Sequence, residues 1–231
     1  MIPAEKIIVA LDTQDPVKCT ELLHSLSSSK VWVKIGMELF YAEGPRVIHE
    51  AKALGLNVFL DLKLHDIPQT VASALKALSR LPIDMINVHA AGGLEMMQRS
   101  YEVFAGLNKR PLLIAVTQLT STSEEQMQRE QRISGTIQDS VLHYAHLSHQ
   151  AHFDGVVCSP HEIKLIKENL GSTFLTVTPG IRPAGVESHD QKRITTPREA
   201  LALGTDFMVI GRPITGAKNP REALETILQG N

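Results

Sequence analysis

Asp61, Lys63 and Asp66 share one short run, Asp61-Leu62-Lys63-Leu64-His65-Asp66-Ile67-Pro68-Gln69-Thr70. In an extended strand Asp61 and Lys63 project to the same side, about 6–7 Å apart along the chain. Asp66 falls past the strand end, and Pro68 and Thr70 fall where a helix would begin. A lysine between two carboxylates is held in its ammonium form. Such a group can face a developing carbanion and then deliver a proton to it. A salt-bridged strand end ahead of a helix cap would use the same residues, so this spacing leaves both readings open.

The elements that must carry this run recur along the chain. Short β-branched runs occur at 6–12 (KIIVALD), 31–36 (VWVKIG), 57–63 (NVFLDLK), 83–90 (IDMINVHA), 111–117 (PLLIAVT), 154–159 (DGVVCS), 173–179 (TFLTVTP) and 206–211 (DFMVIG). Helical periodicity fills segments between them, including Ile67–Leu81, Leu94–Leu107, Ile137–Gln150 and His161–Leu170, with Pro220–Leu228 after the last run. Strands alternating with helices imply parallel strands joined by crossover helices. Eight such units within 231 residues predict an α/β fold, a (β/α)8 barrel forming one domain over 1–231. An open doubly wound sheet is the competing architecture. Thr13-Gln14-Asp15-Pro16 stands where its glycine fingerprint belongs. No internal repeat or linker is visible. The polar stretch Gln118–Thr136 is expected to hold an extra helical turn or loop. Gly180–Thr196 is expected to form a mobile loop at the mouth of the site.

Alternation assigns the faces. Ile7, Val9 and Leu11 share one parity, as do Val31, Val33 and Ile35, Val58, Leu60, Leu62 and Leu64, and Ile86 and Val88. This apolar parity suits contact with outer helices. Asp12, Lys34, Asp61, Lys63, Asn87 and His89 then point inward near the C-terminal strand ends, where barrel enzymes keep their sites. Two lysines and two aspartates converging at one rim cost free energy unless paired or used, and such groups cluster at functional sites.

Composition removes other classes. Lys+Arg is 23 and Asp+Glu 25, for a formal charge of −2, so no basic excess points to nucleic acid or an anionic membrane. Aromatic residues at 4% leave little for base stacking. A chain 43% hydrophobic and 21% charged is neither disordered nor fibrous. Cys19 and Cys158 are too few and too far apart for a disulfide scaffold or a cysteine zinc site. The opening apolar run is shorter than a signal peptide, no run approaches a membrane span, and a cytoplasmic location is expected.

DLKLHDIPQT at 61–70 resembles the signature of the orotidine-5′-phosphate decarboxylase family, including its Ile-Pro-x-Thr tail. The resemblance runs through ALDT (10–13), VKIGMELF (33–40), NVHAAGG (87–93), VTQLTS (116–121), TPGIRP (178–183) and VIGRPIT (209–215), in the family's order. It implies a cofactor-free, metal-free lyase of pyrimidine biosynthesis that removes the C6 carboxyl of orotidine 5′-phosphate to give uridine 5′-phosphate. By the same resemblance Lys34, Asp61, Lys63 and Asp66 form an alternating charged array, with Lys63 protonating C6 and Asp61 near the substrate carboxylate. Asp66, Ile67 and Thr70 would serve the neighbouring subunit's site in a homodimer. Asp12 and Lys34 would hold ribose hydroxyls, and Thr120 would meet the pyrimidine. Arg182, Gln191, Gly211 and Arg212 would form the lid and phosphate site. No departure from the family's pattern occurs at these positions.

Other signals have plainer readings. His143, His146, His149 and His152 drift around a helix and read as a solvated face. His89 reads as a polar residue beside the site, and His65 as facing outward or towards a partner. Thr178-Pro179-Gly180 reads as a turn or part of a phosphate loop. Two further functions stay open. One is a magnesium-dependent sugar-phosphate barrel, such as keto-gulonate-phosphate decarboxylase or hexulose-phosphate synthase, which share a D-x-K-x-x-D strand. The other is an inactive nucleotide-binding barrel.

Overall fold

The computed structural model describes residues 1–183 and 195–230. Eight parallel strands close into a barrel in sequence order. They are β1 (Ile7–Ala10), β2 (Trp32–Gly36), β3 (Asn57–Leu64), β4 (Met85–His89), β5 (Leu112–Val116), β6 (Gly155–Val157), β7 (Leu175–Thr178) and β8 (Phe207–Ile210). Each lies within one of the eight apolar runs or, for β3, reaches one residue beyond it. The outer helices include α1 (Pro16–Leu26), α2 (Met37–Glu43), α3 (Arg46–Ala53), α4 (Pro68–Leu78), α5 (Gly93–Phe104), α6 (Glu124–Arg129), α7 (Ile137–Gln150), α8 (Ile163–Leu170), α9 (Pro197–Ala202), α10 (Arg212–Thr215) and α11 (Pro220–Leu228). The extra turn expected within Gln118–Thr136 is α6. The loop expected within Gly180–Thr196 lies largely outside the described residues.

Local chemistry starts the helices. Asp15 accepts from the Val17 and Lys18 N–H groups at the head of α1. Thr136 and Asp139 form a reciprocal capping box on α7. Proline stands first in α1, α4, α9 and α11, where no N–H is needed.

Two apolar layers follow from the alternation. Ile8, Ala10, Phe59, Met85, Ile114, Val177 and Val209 fill the barrel interior. Val9, Val33, Leu60, Ile86 and Leu113 pack outward against helix residues such as Leu23, Ile48, Leu75 and Met97. Trp32 and Phe207 meet edge-on at the N-terminal end of the barrel, ring centres 5.2 Å apart.

A repeat that the residue string conceals appears at that end. Asp84, Asp154 and Asp206 each stand one residue before an even-numbered strand. Each accepts a backbone N–H of the preceding strand, from Val58 (2.8 Å), Leu113 (2.7 Å) and Thr176 (2.8 Å). Each also holds a cation: Lys52 at 2.7 Å, Arg110 at 2.6 Å and Lys167 at 2.6 Å. The carboxylates thus tie strands β3 to β4, β5 to β6 and β7 to β8. Asp154 is held by both Arg110 nitrogens, with a second bond at 2.8 Å. Asp154→Ala strands the Leu113 N–H and a half-buried guanidinium. It should cost about 2–4 kcal/mol and lower the melting temperature by roughly 5–10 °C. A loss below about 0.5 kcal/mol, the size of an ordinary surface change, would show that the tie is ornamental.

Candidate active site

The inward parity delivers its charges to the C-terminal mouth. Lys34 sits on β2, Asp61 and Lys63 on β3, Asn87 on β4, and Asp12 two residues past β1. Lys34 Nζ lies 3.1 Å from Asp12 Oδ1 and 3.3 Å from Asp61 Oδ2. Lys63 Nζ lies 2.7 Å from Asp61 Oδ1, which also accepts from Asn87 Nδ2 at 2.6 Å. Asp61 therefore has both carboxylate oxygens engaged. Its side chain is 8% exposed, Lys34's 12% and Lys63's 25%, whereas Asp12's is 58% exposed at the rim.

Burial alone would push the Asp61 carboxyl up, but the ammonium groups of Lys34 and Lys63 outweigh it and hold it below the ordinary carboxylate range. Asp61 then favours the folded state at ordinary pH, and that contribution is lost only as pH falls through the lowered value. Burial likewise opposes the charge on Lys34. Asp61 and Asp12 outweigh it and hold that ammonium above the ordinary lysine value. Gly36 leaves room beside the Lys34–Asp12 pair, since a Cβ there would stand 3.2 Å from Lys34 Nζ and the ammonium would have to shift.

β3 is irregular where it bears these charges. Its pairing with β4 runs Leu60↔Ile86 and resumes at Leu64↔Val88, so four steps on β3 match two on β4. Lys63 within this bulge has φ +50°, a left-handed conformation rare for lysine. Above the array opens a cavity lined by Phe59, Val116, Val157, Val177 and Val209, with Gln118, Leu119, Thr120 and Pro179. It is an apolar slot with convergent polar groups at one wall, the usual design of a small-molecule site.

Arg182 and Arg212 follow β7 and β8. Arg182 is 7% exposed. Its Nη1 donates to the Ile181 carbonyl at 3.0 Å, and its Nε has no partner among the described residues. Burial, and then the positive charge of Arg212, push the Arg182 guanidinium below its ordinary pKa. Two guanidinium groups that feel each other's charge make a place that an anion would stabilise.

The family model of the orotidine 5′-phosphate decarboxylase / HUMPS family matches residues 5–227. The chain belongs to that family. An orotidine 5′-phosphate decarboxylase of Streptococcus equi subsp. zooepidemicus is 53% identical over 224 residues, spanning 96% of both chains. One of Lactococcus lactis subsp. cremoris is 51% identical over 225 residues, 95% of both. The crystal structure of orotidine 5′-phosphate decarboxylase from Lactobacillus acidophilus superposes with a TM-score of 0.85 at 40% identity, covering 96% of this chain and 97% of that one.

Most residues expected from the decarboxylase pattern meet at one mouth. Lys34, Asp61, Lys63 and Thr120 line the cavity, and Asp12 pairs with Lys34 beside it. Gly211 lies against β1, where a Cβ would come 3.5 Å from that of Ala10. Gln191 lies outside the described residues. Asp66 does not join Lys63 within the chain. Its described hydrogen bond is from the Ile67 N–H, at 2.7 Å, and Asp66, Ile67 and Thr70 are all exposed. Read from its own strand alone, Lys63 between two carboxylates is therefore corrected: within one chain it meets Asp61 only. The chain turns away after β3 because Pro68 starts α4 at once.

His89 is half-buried, 5.6 Å from His65 ring to ring. Burial, then His65 and Lys63, push its pKa below the ordinary value, so the imidazole is neutral at pH 7. His143, His146, His149 and His152 are all exposed, as a solvated face requires. Both cysteines are buried and neither is in a disulfide, and burial pushes the Cys19 thiol up to about 11. Among the described residues no cluster of three His, Cys, Asp or Glu suits a metal ion, and no helix is long and apolar enough to cross a membrane. Sequence reading puts Asn87 on the inward face but gives it no task. Its two bonds inside the array come from the β3 bulge, which no residue pattern announces.

Proposed function

We propose that this chain decarboxylates orotidine 5′-phosphate to uridine 5′-phosphate and CO2, the last step of de novo UMP synthesis, with Lys63 as the acid. The observation that carries the reading is the Lys34–Asp61–Lys63 array, fixed by short bonds at the wall of an apolar slot. Breaking the C6–carboxyl bond leaves its electron pair at C6, in an orbital the ring π system does not delocalise. The preorganised Lys63 ammonium stabilises that charge. It then gives its proton to C6, forming the new C–H bond, and regains a proton from solvent. Asp61 holds both ammonium groups in place and sits near the departing carboxylate.

Lys34 and Asp12 would take the ribose hydroxyls, and Thr120 the pyrimidine edge. Arg182, Gln191 and Arg212, with the Gly211 backbone, would take the phosphate. Phosphate binding lowers the barrier at a distant carbon when it helps assemble the site. Asp66, Ile67 and Thr70 would serve a second copy's site in a homodimer. The support is that Asp66 stays clear of its own Lys63 while Ile67 is 66% and Tyr41 70% exposed, apolar surface that a single chain leaves in water. The scheme calls on no metal or organic cofactor, because the Lys63 ammonium supplies both the charge stabilisation and the proton.

Orotidine 5′-phosphate incubated with the chain should lose its ultraviolet absorbance signature and yield uridine 5′-phosphate. Arg212→Ala should weaken nucleotide binding by about tenfold or more and leave nucleoside binding nearly unchanged. Conversion of a sugar phosphate instead, or equal losses for nucleotide and nucleoside, would overturn the reading.

A further inference from the structure

We propose that Asn87 is a positioning residue that aims Lys63: its side-chain amide clamps the β3 bulge and the Asp61 carboxylate in one geometry. The proposal rests on Lys63 as the acid. Asn87 is 1% exposed and touches the array at two points. Its Oδ1 accepts the main-chain N–H of Lys63 at 2.8 Å, and its Nδ2 donates to Asp61 Oδ1 at 2.6 Å. That oxygen is the one that meets Lys63 Nζ at 2.7 Å. One amide thus fixes both the backbone from which the lysine springs and the anion against which its tip rests.

The amide is the group this place requires. One side presents an N–H and the other a carboxylate, so the clamp must accept and donate at once. Turning the amide over would set NH2 against N–H and oxygen against carboxylate. Lys63 pays for its φ of +50° with backbone strain, and such a conformation persists only when neighbours over-determine it. In regular pairing, β4 hydrogen bonds would flatten this stretch. Here the register skips between Leu60 and Leu64, and the side chain of Asn87 replaces the missing ladder bond at Lys63.

The test compares Asn87→Ala and Asn87→Asp with wild type and Lys63→Ala, measuring kcat, affinity for uridine 5′-phosphate and pH dependence. Asn87→Ala should lower kcat about a hundredfold, as a displaced reacting group does. Product affinity should stay within about threefold, because the loss falls on the transition state. Turnover within about threefold of wild type, or equal losses of turnover and product affinity, would overturn the proposal.

Asn87→Asp keeps the shape and guards against a variant that does not fold. At pH 8 it sets two carboxylates together and should be nearly inactive. A proton shared by the pair restores a donor toward Asp61 and an acceptor for the Lys63 N–H. Its activity relative to wild type should therefore rise as pH falls to about 5.5, by roughly tenfold per proton-coupled pH unit at most. Lys63 and Asp61 touch the position, Lys34 stands 3.3 Å from Asp61, and His89 feels Lys63, Asp61 and His65; all are present in both proteins, so the ratio isolates the new pair. A ratio that is flat, or that falls toward acid pH, would overturn the clamp. Lys63→Ala with near-normal turnover would mean that the acid itself was misassigned, and the clamp would fall with it. A dead Lys63→Ala beside an unaffected Asn87→Ala would remove the clamp alone.

Discussion

Lys63→Ala should nearly abolish turnover while the nucleotide still binds. Two effects disappear together. A preorganised charge at a reacting centre is worth about 3–4 kcal/mol, and general acid catalysis contributes roughly a hundred- to ten-thousandfold. In the proposed site ground-state binding would be spread over Asp12, Lys34, the slot and the arginine pair, none of which the substitution removes. Asp61 keeps Lys34 at 3.3 Å and Asn87 at 2.6 Å, so the truncated array still folds around a partnered carboxylate. Transient kinetics and product titration check both halves. A variant retaining a tenth of normal turnover, a loss of only about 1.4 kcal/mol, could not have lost its acid.

Mixing Lys63→Ala with Asp66→Ala should restore activity that neither has alone. In each pure dimer every site carries a lesion. In a mixed dimer one site gathers both lesions, and the other combines an intact Lys63 with an intact Asp66 from the opposite chain. Random exchange makes half the dimers mixed, each with one good site, so about a quarter of wild-type activity returns under two-fold symmetry. If Asp66 serves its own chain, every site keeps one lesion and mixing recovers nothing. Mass spectrometry confirms the exchange, and Asp66→Ala alone must first prove severely impaired. The exposed Asp66, with its bond to the Ile67 N–H rather than to Lys63, is what makes the crossed arrangement the expected one.

The barrel was legible because parallel strands buried on both faces must be apolar runs, and all eight were. Parity put Lys34, Asp61 and Asn87 on the inner face, since each has a regularly paired neighbour strand, whereas Lys63 reaches the same array from within the bulge. It could not show the bulge after Leu60 or the left-handed Lys63, which depend on how β3 meets β4 rather than on local propensity. The Asp84, Asp154 and Asp206 ties were hidden for a related reason. Each carboxylate reads as loop polarity until the adjoining strand end comes beside it. Short helices such as α9 and α10 span too few residues to display a period. The nearness of Arg182 to Arg212 comes from the pairing of β7 with β8, which brings together loops that a whole crossover separates in the sequence.

In the proposed reaction fixed side-chain charges, with no metal ion, remove the C6 carboxyl of orotidine 5′-phosphate. The direct measurement is release of labelled CO2 from carboxyl-labelled substrate by protein exhaustively treated with a chelator. Release should be complete, with one uridine 5′-phosphate formed per CO2 and no change on adding magnesium. Activity lost on chelation and restored by magnesium would contradict it.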